Sequence, residues 1–141
     1  MKYLFLAFLF LLDASSKWCA LHFLPSAGVP ILPDLFGVTF SLDFVTNTGT
    51  AWGLFADHPL WLFWGRVAMI GGLIVYVLRT PGTHWALSLI IVGALGNVVD
   101  TMLYGHVIDF FHFTFWGYSF PVFNWADTYI TLGVAGLLCY G

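Results

Sequence analysis

Apolar residues crowd into four stretches, roughly residues 2–23, 60–78, 84–104 and 120–141. Each is near the ~20 residues that an α-helix needs to cross a bilayer. The segment between the first two, residues 24–59, follows a different pattern. Pro25, Gly28, Pro30 and Pro33 break helical periodicity, and Val38-Thr39-Phe40-Ser41-Leu42-Asp43-Phe44 then alternates with Phe40, Leu42 and Phe44 on one face. That alternation predicts a strand, and Asn47-Thr48-Gly49 follows it as a turn signal. Residues 105–119 hold a second β-like piece, from Phe111 to Tyr118, turning at Gly117. Open strand edges do not sit in hydrocarbon, so both pieces are expected outside it and on the same side. The short link Arg79-Thr80-Pro81-Gly82-Thr83 falls on the other. No repeat or second domain interrupts residues 1–141, which read as a single membrane domain.

Composition agrees with this pattern. Only 8% of residues are charged and the mean hydropathy is +0.91, whereas a soluble domain carries about 25% charged residues. Seven Trp, six Tyr and fifteen Phe suit a chain that crosses the headgroup region repeatedly. Net charge is −3, with no basic run, which argues against a nucleic-acid partner. Lys2 and Arg79 fall on the short-link side and mark it as cytoplasmic, so both termini are expected there. Lys17 and Arg66 are expected to snorkel towards the opposite face. Cys19 and Cys139 have no zinc or redox spacing and lie towards opposite faces, so free thiols are expected.

The first stretch has a second reading as a cleavable signal peptide, from Lys2, the apolar run to Leu12 and the small residues Ala14, Ser15 and Ser16. Asp13 and Lys17, however, stand at i, i+4 with the acid first, the arrangement in which a helix can carry a charge pair into lipid. A retained span is therefore expected.

Polar groups inside spans are costly, which makes each a functional candidate. At a rise of ~1.5 Å per residue, Asn97 lies roughly 20 Å and Asp100 roughly 24 Å into the third span counted from His84. Asp109 then comes near or just past the far interface. Counted from Pro121, Asp127 lies roughly 9 Å below that same interface. Two carboxylates at one depth can share a proton, one taking a proton from water while the other donates to a substrate carbonyl or leaving amine. This is aspartic-peptidase chemistry and it needs no metal or cofactor; His106 and His112 flank Asp109 without ligand spacing. Spacing alone leaves open that Asp109 is a solvated loop acid and Asp127 a helix-capping acid. A proton-coupled transporter or channel, or a non-catalytic scaffold, stays open on the same grounds.

The local strings narrow these choices. Gly96-Asn97-Val98-Val99-Asp100 and Gly105-His106-Val107-Ile108-Asp109-Phe110 resemble the GNxxDR…GxVxDF signature of bacterial lipoprotein signal peptidase (signal peptidase II). Phe120-Pro121-Val122-Phe123-Asn124-Trp125-Ala126-Asp127 is similar to that family's FPxFNxAD element. Asn47-Thr48-Gly49-Thr50-Ala51-Trp52-Gly53 resembles its NxGxAFG element, and Asp13 to Lys17 resembles its DxxxK. All occur in the family's order.

The resemblance implies a membrane all-α fold of four transmembrane helices with a small extracytoplasmic β-cradle, in the bacterial inner membrane. It implies Asp109 and Asp127 as the catalytic pair near the extracytoplasmic face. The implied substrate is a prolipoprotein already carrying diacylglycerol, cut on the N-terminal side of its lipidated cysteine. Asn47, Gly49, Asn97, Asp100, Asn124 and Ala126 become substrate-binding or supporting residues, while Asp13 and Lys17 become a structural polar pair. Membrane lipid and a globomycin-type inhibitor are the other implied partners, and the chain is expected to be a monomer. Gly49, Gly53, Gly96 and Gly105 read as turn or close-approach positions. One departure stands out: the family's Arg after GNxxD is Thr101 here, which removes a charged fork from the site. The chain also ends at Leu137-Leu138-Cys139-Tyr140-Gly141 without a basic tail, which leaves room for a fourth span running beyond Gly141.

Overall fold

The structure, a computed structural model, describes residues 1–48, 59–82 and 84–140. The expected turn at Gly49, with Gly53, lies outside the described residues. In chain order the elements are α1 (Lys2–Phe23), β1 (Val29–Leu35), β2 (Val38–Asn47), α2 (Pro59–Arg79), α3 (Trp85–Tyr104), β3 (Val107–Phe115), β4 (Tyr118–Ser119) and α4 (Trp125–Tyr140).

Three of the helices, α1, α2 and α3, are long and apolar enough to cross a membrane. The fourth apolar stretch forms a shorter helix of 16 residues, about 24 Å long. It begins at Trp125 and not at Phe120, because Phe120–Asn124 runs extended along β3. Phe120 N–H donates to Phe113 O at 2.9 Å, and Phe123 exchanges hydrogen bonds with Phe111 at 2.8 and 3.0 Å. Asp127 therefore sits in the first turn of its helix, not two turns inside as the count from Pro121 had it. Helix α3 is central and touches α1, α2 and α4. It meets α4 through small residues. A Cβ on Gly93 would collide with Ala126 O, and one on Gly133 would come 2.6 Å from Ala86 O, so glycine is what lets the two backbones approach.

The strands form one antiparallel sheet in the order β1-β2-β3-β4. Because β2 precedes α2 and β3 follows α3, their pairing forces the α1–α2 and α3–α4 connections to the same end of the bundle, as the alternation predicts. The β-cradle is larger than the two expected pieces. Strand β1 runs through Pro30 and Pro33, residues that signalled only an interruption of helix. An edge strand tolerates prolines because half of its N–H groups have no ladder partner to lose, and the register slips on both sides of Leu32. Strand β3 begins at Val107 instead of Phe111, so Asp109 belongs to the sheet and not to an extension of α3. Gly105, at φ 78°, ends α3 in the left-handed conformation and donates to Thr101 O, the close that a helix needs before a sharp exit.

Two two-residue turns, Phe36-Gly37 and Trp116-Gly117, have positive φ at both positions, the pattern whose twist matches paired strands. They dock together: Trp116 N–H donates to Gly37 O at 2.7 Å and its indole Nε1–H to Phe36 O at 3.1 Å. His112 ties the strands further, with Nδ1 2.6 Å from Asp43 Oδ2 and Nε2 2.8 Å from Ser119 Oγ. The sheet is cemented to the bundle by Ala20, Ile108 and Phe110, against which Leu24, Leu42, Phe44, Phe111 and Trp125 pack. Cys19 and Cys139 are exposed free thiols.

Candidate active site

Asp109 enters the site because β3 carries it to the bundle end and buries it, at 2% exposure. Its strand partner is Val45, across a ladder whose register shifts between Leu42 and Val45. Asp43 and Phe44 there oppose the single residue Phe110, which is a β-bulge. A one-residue slip turns every later side chain to the other face. The bulge is therefore what aims Asn47 at Asp109: Asn47 Nδ2–H donates to Asp109 Oδ2 at 3.2 Å.

Asp127 arrives from the start of α4. Asn124 caps that helix, its Oδ1 accepting from Asp127 N–H at 2.9 Å, while Asp127 Oδ2 accepts from Asn124 N–H at 3.2 Å. This reciprocal exchange is a capping box, so the capping reading of Asp127 is correct as far as it goes. The same residues do more. Asn124, fully buried, also donates through Nδ2 to Asp109 Oδ1 at 2.8 Å, linking the two acids through one amide. The remaining oxygen of Asp127, Oδ1, accepts from Asn97 Nδ2–H at 2.9 Å.

Below the acids lies a buried charge cluster. Lys17, 1% exposed, contacts Asp13 Oδ2 and Asp100 Oδ2, each at 2.8 Å, and donates to Asn97 Oδ1 at 3.0 Å. The i, i+4 pair expected of Asp13 and Lys17 thus forms, and it builds α1 into the protein's interior. Asp13 Oδ1 accepts from Ala126 N–H at 2.9 Å, and Asp100 Oδ2 from Ile108 N–H at 3.2 Å. These two carboxylates hold the backbone just before Asp127 and just before Asp109. Ala126 is fully buried, and a Cβ added at Gly96 would come 3.4 Å from its methyl.

Asp109 and Asp127 line one cavity of about 330 Å³ together with Asn47, Asn97 and Arg66. Burial first, and then the negative charge of Asp127, push the Asp109 carboxyl up to about 6, against the opposing pull of Asn47, Lys17 and Asn124. A carboxyl whose proton affinity is raised, beside a second carboxylate that accepts N–H donors from Asn97 and Asn124, is the pairing that general acid–base chemistry needs. Among the described residues no group of His, Cys, Asp or Glu is arranged to hold a metal ion.

Of the sequence-predicted residues, Asn47, Asn97, Asp109, Asn124 and Asp127 converge on or around the cavity. Asp13, Lys17, Asp100 and Ala126 support it from below, and Gly49 lies outside the described residues. Neither cation expected to snorkel is placed that way: Lys17 is buried at 1% exposure between Asp13 and Asp100, and Arg66 faces the cavity. Its signal was present as a lone charge in an otherwise apolar span. Thr101 turns its hydroxyl to its own helix, donating to Asn97 O at 3.0 Å.

Comparison with known proteins gives this arrangement a family. The sequence profile of Signal peptidase (SPase) II matches residues 5–141. A lipoprotein signal peptidase of Anoxybacillus flavithermus is 34% identical over 147 residues, spanning 99% of this chain and 84% of that protein. One of Aeromonas hydrophila subsp. hydrophila is 38% identical over 152 residues, spanning 100% and 88%. Two solved structures of a bacterial membrane enzyme superpose with TM-scores of 0.85 and 0.83, each 26% identical and matching 98% of this chain, with 90% and 85% of theirs covered. From end to end, in sequence as in fold, this chain belongs to the signal peptidase II family of aspartic peptidases.

Proposed function

We propose that this enzyme, which removes signal peptides from lipoproteins, does so with Asp109 and Asp127 as its catalytic pair. The observation that carries the assignment is the placement of both acids in one cavity, with Asn124 bonded to each. Asp109 holds the proton, as its raised affinity indicates. Asp127, supported by N–H groups of Asn97 and Asn124, is the base. It takes a proton from water as the water oxygen bonds to the scissile carbonyl carbon, and Asp109 gives its proton to the carbonyl oxygen. When the tetrahedral intermediate collapses, the C–N bond breaks and the nitrogen leaves with the proton that Asp127 had taken. The hydroxyl proton returns to Asp109, which restores the starting state.

The substrate is a diacylglyceryl-modified prolipoprotein, cut N-terminal to its lipidated cysteine. All four apolar helices span the bacterial inner membrane. Both termini are cytoplasmic and the sheet and cavity lie at the extracytoplasmic face. The signal helix enters from lipid, and its fixed depth contributes much of the positioning that catalysis needs. The enzyme acts as a monomer, and a globomycin-type cyclic peptide competes for the cavity.

The test is cleavage of a diacylglyceryl-modified prolipoprotein by purified protein in lipid, beside Asp109→Asn and Asp127→Asn. Turnover by the wild type and by neither variant is expected. Wild-type turnover that persists in either variant removes that acid from the pair. A folded wild type without turnover would favour the non-catalytic reading that Thr101 left open.

A further inference from the structure

The cavity that holds the two acids is lined by one cation among the described residues, Arg66 of α2. Lys17 cannot serve there. It is buried beneath Asn97, with Asp13, Asp100 and Asn97 around its ammonium. Nor does position 101 present a charge, since it is Thr and its hydroxyl bonds back to Asn97 O. An arginine in a membrane span is expensive unless it faces water or a polar site. Helix α2 is the least covered of the three long helices, with most of its surface directed outwards, yet Arg66 faces the cavity. A guanidinium offers several N–H donors in a planar fork, suited to holding backbone carbonyls in fixed orientation.

We infer that Arg66 is a substrate-positioning cation of this peptidase, its guanidinium donating to a substrate backbone carbonyl next to the scissile bond. The cavity wall then has complementary sides. The acids come from β3 and α4, amide donors from Asn47 and Asn97, and the cation from α2. Position 101 lies one helical turn beyond the cavity-lining Asn97 on the same face of α3, close enough for the long side chain of an arginine placed there to extend towards the cavity. In this chain the cation at the cavity comes from α2.

This inference rests on the peptidase reading, and the experiment separates the two. Cleavage of diacylglyceryl-modified prolipoprotein is measured for the wild type, Arg66→Met, Arg66→Lys, and Arg66→Met combined with Thr101→Arg, with thermal unfolding in detergent as the folding control. A wild type without turnover refutes the peptidase reading itself. With an active wild type, Arg66→Met should fold and lose roughly 100-fold in kcat/KM, the scale of removing one aimed donor from a reacting centre. Arg66→Lys should retain charge but not the fork and fall in between. Thr101→Arg should recover at least tenfold of what Arg66→Met loses, which a purely structural role of Arg66 would not allow. Undiminished kcat/KM in folded Arg66→Met, or no recovery in the double variant, overturns the inference. Should Arg66→Met fail to fold, a folded Arg66→Lys with wild-type efficiency overturns it as well.

Discussion

Replacing Lys17 by Met tests the cluster beneath the two acids. The side chains are similar in length, so the change removes a charge with little change of volume. Lys17 is 1% exposed and lies 2.8 Å from both Asp13 and Asp100. Its loss leaves two buried carboxylates facing each other without a cation. Breaking a buried pair by removing one partner costs about 3–5 kcal/mol, chiefly from the charge left behind. For a chain of this size that lowers the unfolding temperature by on the order of 10 °C. Adding Asp100→Asn to Lys17→Met removes one of the stranded charges and should restore about half of the loss. The chemistry should suffer less than the stability. Asn97 Oδ1 keeps its donor from Asn124 at 3.1 Å, so its amide stays turned with Nδ2–H towards Asp127. Well below the unfolding temperature, kcat is therefore expected to fall by less than about tenfold, since the acids keep their direct partners. The assay is thermal unfolding in detergent beside cleavage at low temperature. A Lys17→Met protein that unfolds within about 2 °C of the wild type would refute the argument that a buried uncompensated charge is what the lysine prevents.

Three further outcomes follow from the geometry. Because the Asp109 carboxyl titrates at about 6, kcat/KM should decline about tenfold per pH unit on the alkaline side of that value as the shared proton is lost; a profile flat from pH 5 to 9 contradicts the assignment of Asp109 as the acid. The same shift has a stability sign. The folded value is raised above the unfolded 3.8, so its favourable contribution is present below pH 3.8 and lost as the pH rises through about 6. Asp109→Asn should therefore gain thermal stability relative to the wild type at pH 8 and lose that advantage near pH 4. Gly96→Ala places a Cβ 2.5 Å from Asp13 Oδ2 and should destabilise by about 1–3 kcal/mol through overpacking. Gly71→Ala, with nothing within 4 Å of the added atom, serves as the control and should unfold at or above the wild-type temperature.

Much of the architecture is written locally. A run of about twenty apolar residues announces a span whatever surrounds it, because lipid is the solvent and length is the criterion. Alternation announces β2, and i, i+4 spacing joins Asp13 to Lys17 before any tertiary contact is known. Motif strings brought Asp109 and Asp127 forward because the same short elements position them, a strand after a glycine exit and a capped helix start. Other features depend on partners far along the chain. The bulge that turns Asn47 towards Asp109 exists only in the pairing of β2 with β3, residues 62 apart at the hydrogen bond it creates. Lys17 finds Asn97 across 80 residues, and no periodicity encodes that meeting. Strand β1 was hidden because prolines that forbid a helix are compatible with a sheet edge, and only β2 beside it decides which applies. The start of α4 was misplaced for a related reason, since Phe120–Asn124 is apolar enough for a span but is drawn out along β3. Arg66 was legible as a costly charge in lipid, but which way it faces is a property of the packed bundle. Which residues must leave water, and which could do chemistry, follows from residue type and local spacing. Which of the polar groups meet is set by packing, because hydrogen bonds and ion pairs act over a few ångströms, between elements that the chain separates by tens of residues.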